Sequence, residues 1–105
     1  MRMTQFDVFV NPIPAARSAY PFLVAMQSDF APMAALQIVA PIATHSAFAA
    51  GGRITPVVQI RGESHAVLVP RLTAIPTADL TSHVGSLSQA RSELLAALDF
   101  LFYGF

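Results

Sequence analysis

From Gln5 to Val10 the side chains alternate, with Phe6, Val8 and Val10 on one face and Asp7 and Phe9 on the other. A period of two built from β-forming residues predicts a strand. Phe22–Ser28, rich in residues of the buried type, is predicted as a second strand, and Ala35–Ile42, with Pro41 near its end, as a third. Pro56–Ile60 and Ser64–Val69 are two β runs joined by Arg61-Gly62-Glu63, a hairpin connection containing glycine. Leu72–Ile75 is a further short strand, stopped by Pro76. Breakers lie between these runs. Asn11–Pro21 holds three prolines, which cannot donate to a sheet ladder, and is predicted as a loop. Asp29–Met33 is a turn carrying Pro32, Ala43–Arg53 a loose turn followed by the Gly51-Gly52 loop, and Thr77–Gly85 a polar connection.

The period changes in Ser86–Phe105. Ser86 followed by Gln89 has the form of a capping box, which predicts a helix start. At about 100° per residue, Leu87, Ala90, Leu94, Leu95, Leu98, Leu101, Phe102 and Phe105 share one face. Ser88, Gln89, Ser92, Glu93, Ala96 and Asp99 share the opposite face. Phe100 and Tyr103 fall outside the apolar stripe, beside Ala96 and Glu93. Fraying of the last turn or burial against a second copy would cover them, and so would a binding partner. Exposed Tyr and Phe suit partner binding, because a rigid ring buries a large area at low entropic cost. Gly104 would let the backbone turn or a partner approach closely. Strands first and one long helix last make an α+β arrangement, mainly β.

Composition narrows the functional classes. The 105 residues are expected to form a single domain, 1–105, with a core of its own. The absence of cysteine excludes disulfides and thiolate metal sites. Six arginines, with no lysine, balance six carboxylates, so nothing favours non-specific nucleic-acid binding by the chain alone. A hydrophobic fraction of 54% against 11% charged residues points to apolar surface buried by a second copy or a partner. No apolar run reaches the roughly 18 residues of a membrane span. Arg2 is not followed by the apolar core of a signal peptide, and a cytoplasmic protein is expected.

Several of these segments, in this order, resemble the CcdB toxins of bacterial toxin–antitoxin pairs. Gln5–Val10 is similar to the first strand of that family. Met26-Gln27-Ser28-Asp29 is similar to the ending of its second, and Ile38-Val39-Ala40-Pro41-Ile42 to its apolar-Pro strand. Pro56-Val57-Val58-Gln59-Ile60 with Gly62-Glu63-Ser64 resembles its hairpin, and Ala74-Ile75-Pro76 stands where a Val-Pro is expected. The chain then closes on Phe102-Tyr103-Gly104-Phe105, similar to the family's aromatic-Gly-apolar tail.

The resemblance implies an SH3-like antiparallel barrel with a C-terminal α-helix, assembled as a homodimer. It implies a poison of DNA gyrase that binds the gyrase A subunit and traps the enzyme–DNA cleavage complex. It also implies neutralisation by a cognate antitoxin, with operator DNA bound only together with that antitoxin, as in plasmid maintenance and autoregulated transcription. Carried over by position, the gyrase-binding residues are Tyr103, Gly104 and Phe105, with Phe100 beside them. Tyr103 stands for the family's Trp and Phe105 for its Ile. The loop region that helps bind the antitoxin corresponds to Asn11, Pro12, Ile13 and Arg17. The Asn11–Tyr20 loop departs from the family pattern, which suggests a different cognate antitoxin.

For a gyrase poison no cofactor, metal site or catalytic residue is expected. His45, His65 and His83 lack a short metal-ligand spacing. Ser64 and His65 adjoin on a predicted strand and therefore face opposite sides. Two alternatives remain. One is a CcdB-like relic that binds an antitoxin without poisoning gyrase. The other is an mRNA endonuclease of the MazF/Kid type, which resembles the family in architecture. That chemistry would draw on Arg71, Asp79 and His83, nominated by residue type and rough proximity.

Overall fold

In the computed structural model, residues 3–29, 35–44 and 52–104 are described. The expected Pro32 turn, most of the Ala43–Arg53 segment with His45 and Gly51, and Phe105 fall outside the described residues. Among the described residues, seven strands form one antiparallel sheet: β1 (Asp7–Val10), β2 (Phe22–Ala25), β3 (Leu36–Thr44), β4 (Val57–Ile60), β5 (Glu63–Val67), β6 (Thr73–Pro76) and β7 (His83–Ser86). The order across the sheet is β4-β5-β3-β2-β1-β7, with β6 also paired to β3. The helix α1 (Arg91–Tyr103) follows the last strand. The fold is mainly β: a curled antiparallel sheet with one C-terminal helix, the arrangement of an SH3-like barrel.

The curl explains why the alternation in the first strands is imperfect. Val8, Val24 and Ala40 point inward and join Phe6, Ile42, Val67, Leu94 and Ala97 in the main core beneath the helix. Their neighbours Phe9, Leu23, Ala25 and Val39 point to the opposite face, where Leu80 covers them in a second cluster. β1 to β3 are therefore apolar on both faces, and Phe9 is not a misplaced residue but the centre of the second cluster.

Two sites of special backbone position these strands. Arg61 and Gly62, at φ 53° and 80°, form the two-residue connection between Ile60 and Glu63. Both central residues at positive φ match the twist of a tight hairpin, and glycine takes that conformation without steric cost. Phe6 is a fully buried aromatic at φ 71°. Its N–H donates to the Ala25 carbonyl at 2.6 Å and its carbonyl accepts from Leu87 N–H at 2.8 Å. The backbone entering β1 is thus held between β2 and the approach to α1. Pro41 lies inside β3, not at its end. Its carbonyl accepts from Leu68 N–H, on the side where the partner of β3 changes from β6 to β5. The missing proline N–H falls in that change-over, so no ladder bond is lost.

Three sequence expectations are corrected. The end of the expected polar connection Thr77–Gly85 belongs to β7, which pairs with β1 through Asp7↔Ser86 and Val8↔Gly85. The Ser86–Gln89 capping box does not start the helix: Ser86 ends β7, and its Oγ accepts from Ser88 N–H at 3.1 Å. The chain then makes a 3-10 turn at Ser88–Ala90 before α1 begins at Arg91. The helix is also rotated from the expected face. Leu94 and Ala97 are fully buried, while Phe102, assigned to the buried stripe, is 64% exposed.

Candidate interaction surfaces

The helix rotation sets the geometry of the C-terminal tail. At about 100° per residue, the buried arc is centred between Leu94 and Ala97. Phe100 therefore sits at one rim of the arc and Phe102 at the other. α1 packs on the 3-10 turns Gly52–Ile54 and Val69–Arg71. The first of these turns brings Arg53 over the Phe100 ring, 4.3 Å from guanidinium carbon to centroid. Phe100, expected in solvent, is half-buried beneath that cation. Tyr103 lies about 180° from Leu94 by the same count and is 72% exposed. Fraying does not account for it, because helical backbone continues through Tyr103. Gly104 then takes the left-handed conformation, φ 82°, and donates its N–H to the Phe100 carbonyl at 3.0 Å. Glycine is suited to this helix stop because it lacks a Cβ. The tail thus presents Phe102 and Tyr103 from an ordered, capped helix end.

The 11–21 loop is a second surface. Asn11 is buried and organises the loop: its N–H donates to Pro21 O, its Nδ2 to Tyr20 O, and its Oδ1 accepts from Ile13 N–H. The Asn11 carbonyl accepts from Arg17 Nε at 2.6 Å. Asn11 therefore supplies the loop's frame, while Pro12, Ile13 and Arg17 line an open groove of about 570 Å³. Its far side is made by the 75–82 segment, including Asp79, which the sequence had not joined to this loop.

The residues named for ribonuclease chemistry have separate surroundings. Arg71 donates to the Tyr20 hydroxyl at 2.6 Å and lies over its ring. His83 Nε2 lies 3.6 Å from Asp7 Oδ1, with the imidazole edge-on to Phe9. Asp79 lines the groove. His65 is buried, with Nδ1 2.9 Å from the Glu63 carbonyl, whereas Ser64 is exposed and receives Gln59 Nε2. Ser64 and His65 do face opposite ways. Among the described residues there is no cluster of three or more His, Asp or Glu able to hold a metal, and no helix long and apolar enough to cross a membrane.

Arg53 was missed by sequence reasoning. It lies in the segment expected as a loose turn and glycine loop, and nothing local links it to a residue 47 positions away.

A curled β-sheet carrying a capped helix with an exposed aromatic end defines a small barrel protein built to present a surface. The family model described as CcdB protein matches residues 5–104, and the chain belongs to this family of toxin–antitoxin toxins, which are gyrase poisons. No curated protein matches the chain significantly.

Proposed function

We propose that this chain is the toxin of a toxin–antitoxin pair that acts on DNA gyrase without catalysis of its own. Its homodimer binds the gyrase A subunit through Tyr103, Gly104 and Phe105 and traps the cleaved DNA complex. A cognate antitoxin neutralises it by binding over the loop that carries Pro12, Ile13 and Arg17, and toxin and antitoxin together bind operator DNA. The site of action is the cytoplasm, where gyrase is met. The observation that carries this reading is the capped helix end, on which Tyr103 is 72% exposed although its helix is anchored in the core. A tyrosine in that position can stack on a partner's arginine, a contact worth about 0.5–2 kcal/mol.

The test is an in-vitro gyrase cleavage assay with the full chain and with a chain lacking Tyr103–Phe105. Cleaved DNA accumulates with the first and not with the second. A full-length protein that binds no gyrase A fragment and leaves supercoiling untouched would refute the proposal. RNA cleavage by the same preparation would move the assignment to an endonuclease.

A further inference from the structure

We infer that the groove between the 11–17 loop and the 75–82 segment takes one extended segment of the antitoxin. In this arrangement a carboxylate pairs with Arg17, a basic side chain pairs with Asp79, and an apolar side chain lies between them. The inference rests on the antitoxin reading above and deepens it by adding the second wall and the chemistry of the segment.

The groove's volume, about 570 Å³, falls within the range of about 300–1,000 Å³ typical of sites that enclose ligand groups. Val10, Ile13 and Ile75 supply apolar lining for a side chain. Arg17 and Asp79 bring one charge of each sign, and neither makes an ion pair with another described residue. The hydrogen bond from Arg17 Nε to the Asn11 carbonyl fixes the stem of the guanidinium. Its terminal nitrogens then form a fork suited to a carboxylate. A nucleic acid would gain a single cation here and meet Asp79 as a repulsive charge. A peptide carrying both signs complements both walls. The extended form follows from β6, which contributes Ile75 and Pro76 to the wall. Among the described residues β6 pairs with β3 alone, so one of its edges has no strand beside it. An extended chain can use main-chain groups of such an edge. None of the groove's lining residues belongs to α1, so groove and tail can be altered separately.

The test uses the full chain and, as probe, the purified antitoxin that the reading above assigns to it. Affinity is measured by calorimetry and contact by amide hydrogen exchange. Arg17→Glu and Asp79→Arg each weaken binding at least 10-fold, and bound antitoxin protects amides within both 13–17 and 77–82. Reversing the matching charge on the antitoxin restores binding to the Arg17→Glu chain. Thermal melts verify folding; if a charge reversal unfolds the chain, Arg17→Gln and Asp79→Asn replace it, with several-fold losses expected. Wild-type affinity in folded variants overturns the groove inference and leaves the antitoxin reading intact. Protection confined to other segments overturns the groove inference and the placement of the antitoxin over the 11–17 loop, leaving only neutralisation by an antitoxin. A wild-type chain that does not bind the antitoxin at all overturns both.

Discussion

Replacing Tyr103 by alanine separates partner binding from folding. A tyrosine in a well-packed site buries roughly 150–250 Å². With 72% of this residue open to solvent, the lower figure leaves about 110 Å² for a partner to cover, or about 2.7 kcal/mol at 25 cal/mol per Å². Ordering the side chain costs about 1 kcal/mol, and a cation–π contact of about 1 kcal/mol offsets that. Under the proposed function the ring would therefore carry about 2.7 kcal/mol of affinity, close to 100-fold in Kd. A substitution at so exposed a position should change stability by no more than about 0.5 kcal/mol. Calorimetric titration of a gyrase A fragment, paired with urea unfolding of each chain, measures both quantities. The expected outcome is a Kd weakened by about two decades with an unchanged unfolding midpoint. Equal affinity in the two chains would refute the contact role of the ring. Destabilisation by more than about 1.5 kcal/mol would show that Tyr103 supports the fold and that its exposure has been misread.

Tyr103→Trp should tighten gyrase A binding several-fold in the same titration, because Trp offers the best ring face to a cation. Leu94→Ala removes a fully buried side chain from the main core. It should cost about 3 kcal/mol, seen in thermal unfolding as a fall of roughly 12–24 °C for a domain near 100 residues. Arg53→Ala should cost about 0.5–1 kcal/mol through loss of the Phe100 contact; a double-mutant cycle with Phe100→Leu should recover most of it as coupling energy. Gly62→Ala meets open space but holds φ at +80°. It should lose about 1 kcal/mol in urea unfolding from backbone strain alone.

The strands that the sequence disclosed are those whose burial leaves a local pattern. The β4–β5 hairpin was legible because two β runs flank a short connection in which Gly62 marks the turn. β7 was not, because His83-Val84-Gly85-Ser86 contains one branched residue and a glycine. It is a strand because β1 offers backbone partners to it, and that pairing spans more than seventy residues. The helix was legible from its period but not its rotation. Leu87 and Leu94 did mark the core, whereas the turn at Gly52–Ile54 draws the buried arc toward Ala97 and Phe100. A helical stripe locates the apolar side but not which rim a distant loop will cover. The exposed Tyr103 was legible for the converse reason, since its position opposite Leu94 survives the rotation. The groove joins residues sixty positions apart, and the pairing of β6 on β3 together with the hydrogen bond from Val10 N–H to the Ser82 carbonyl brings its second wall to the loop.

That rotation bears on how the tail can bind. A frayed end would have to be ordered on contact, at about 1–2 kcal/mol for each backbone residue fixed, and several such residues would consume the affinity of one tyrosine. Here the end is already held from three directions. Leu101 packs against the main core, Arg53 lies on Phe100, and Gly104 N–H closes back on the Phe100 carbonyl. Phe100 thus anchors the turn that carries Tyr103. Preorganisation of this kind lets a small aromatic surface bind with useful affinity. Under the proposed function it also gives Arg53 an indirect role in gyrase binding. Removing the anchor returns part of the ordering cost to the binding step, even though Tyr103 itself is unchanged.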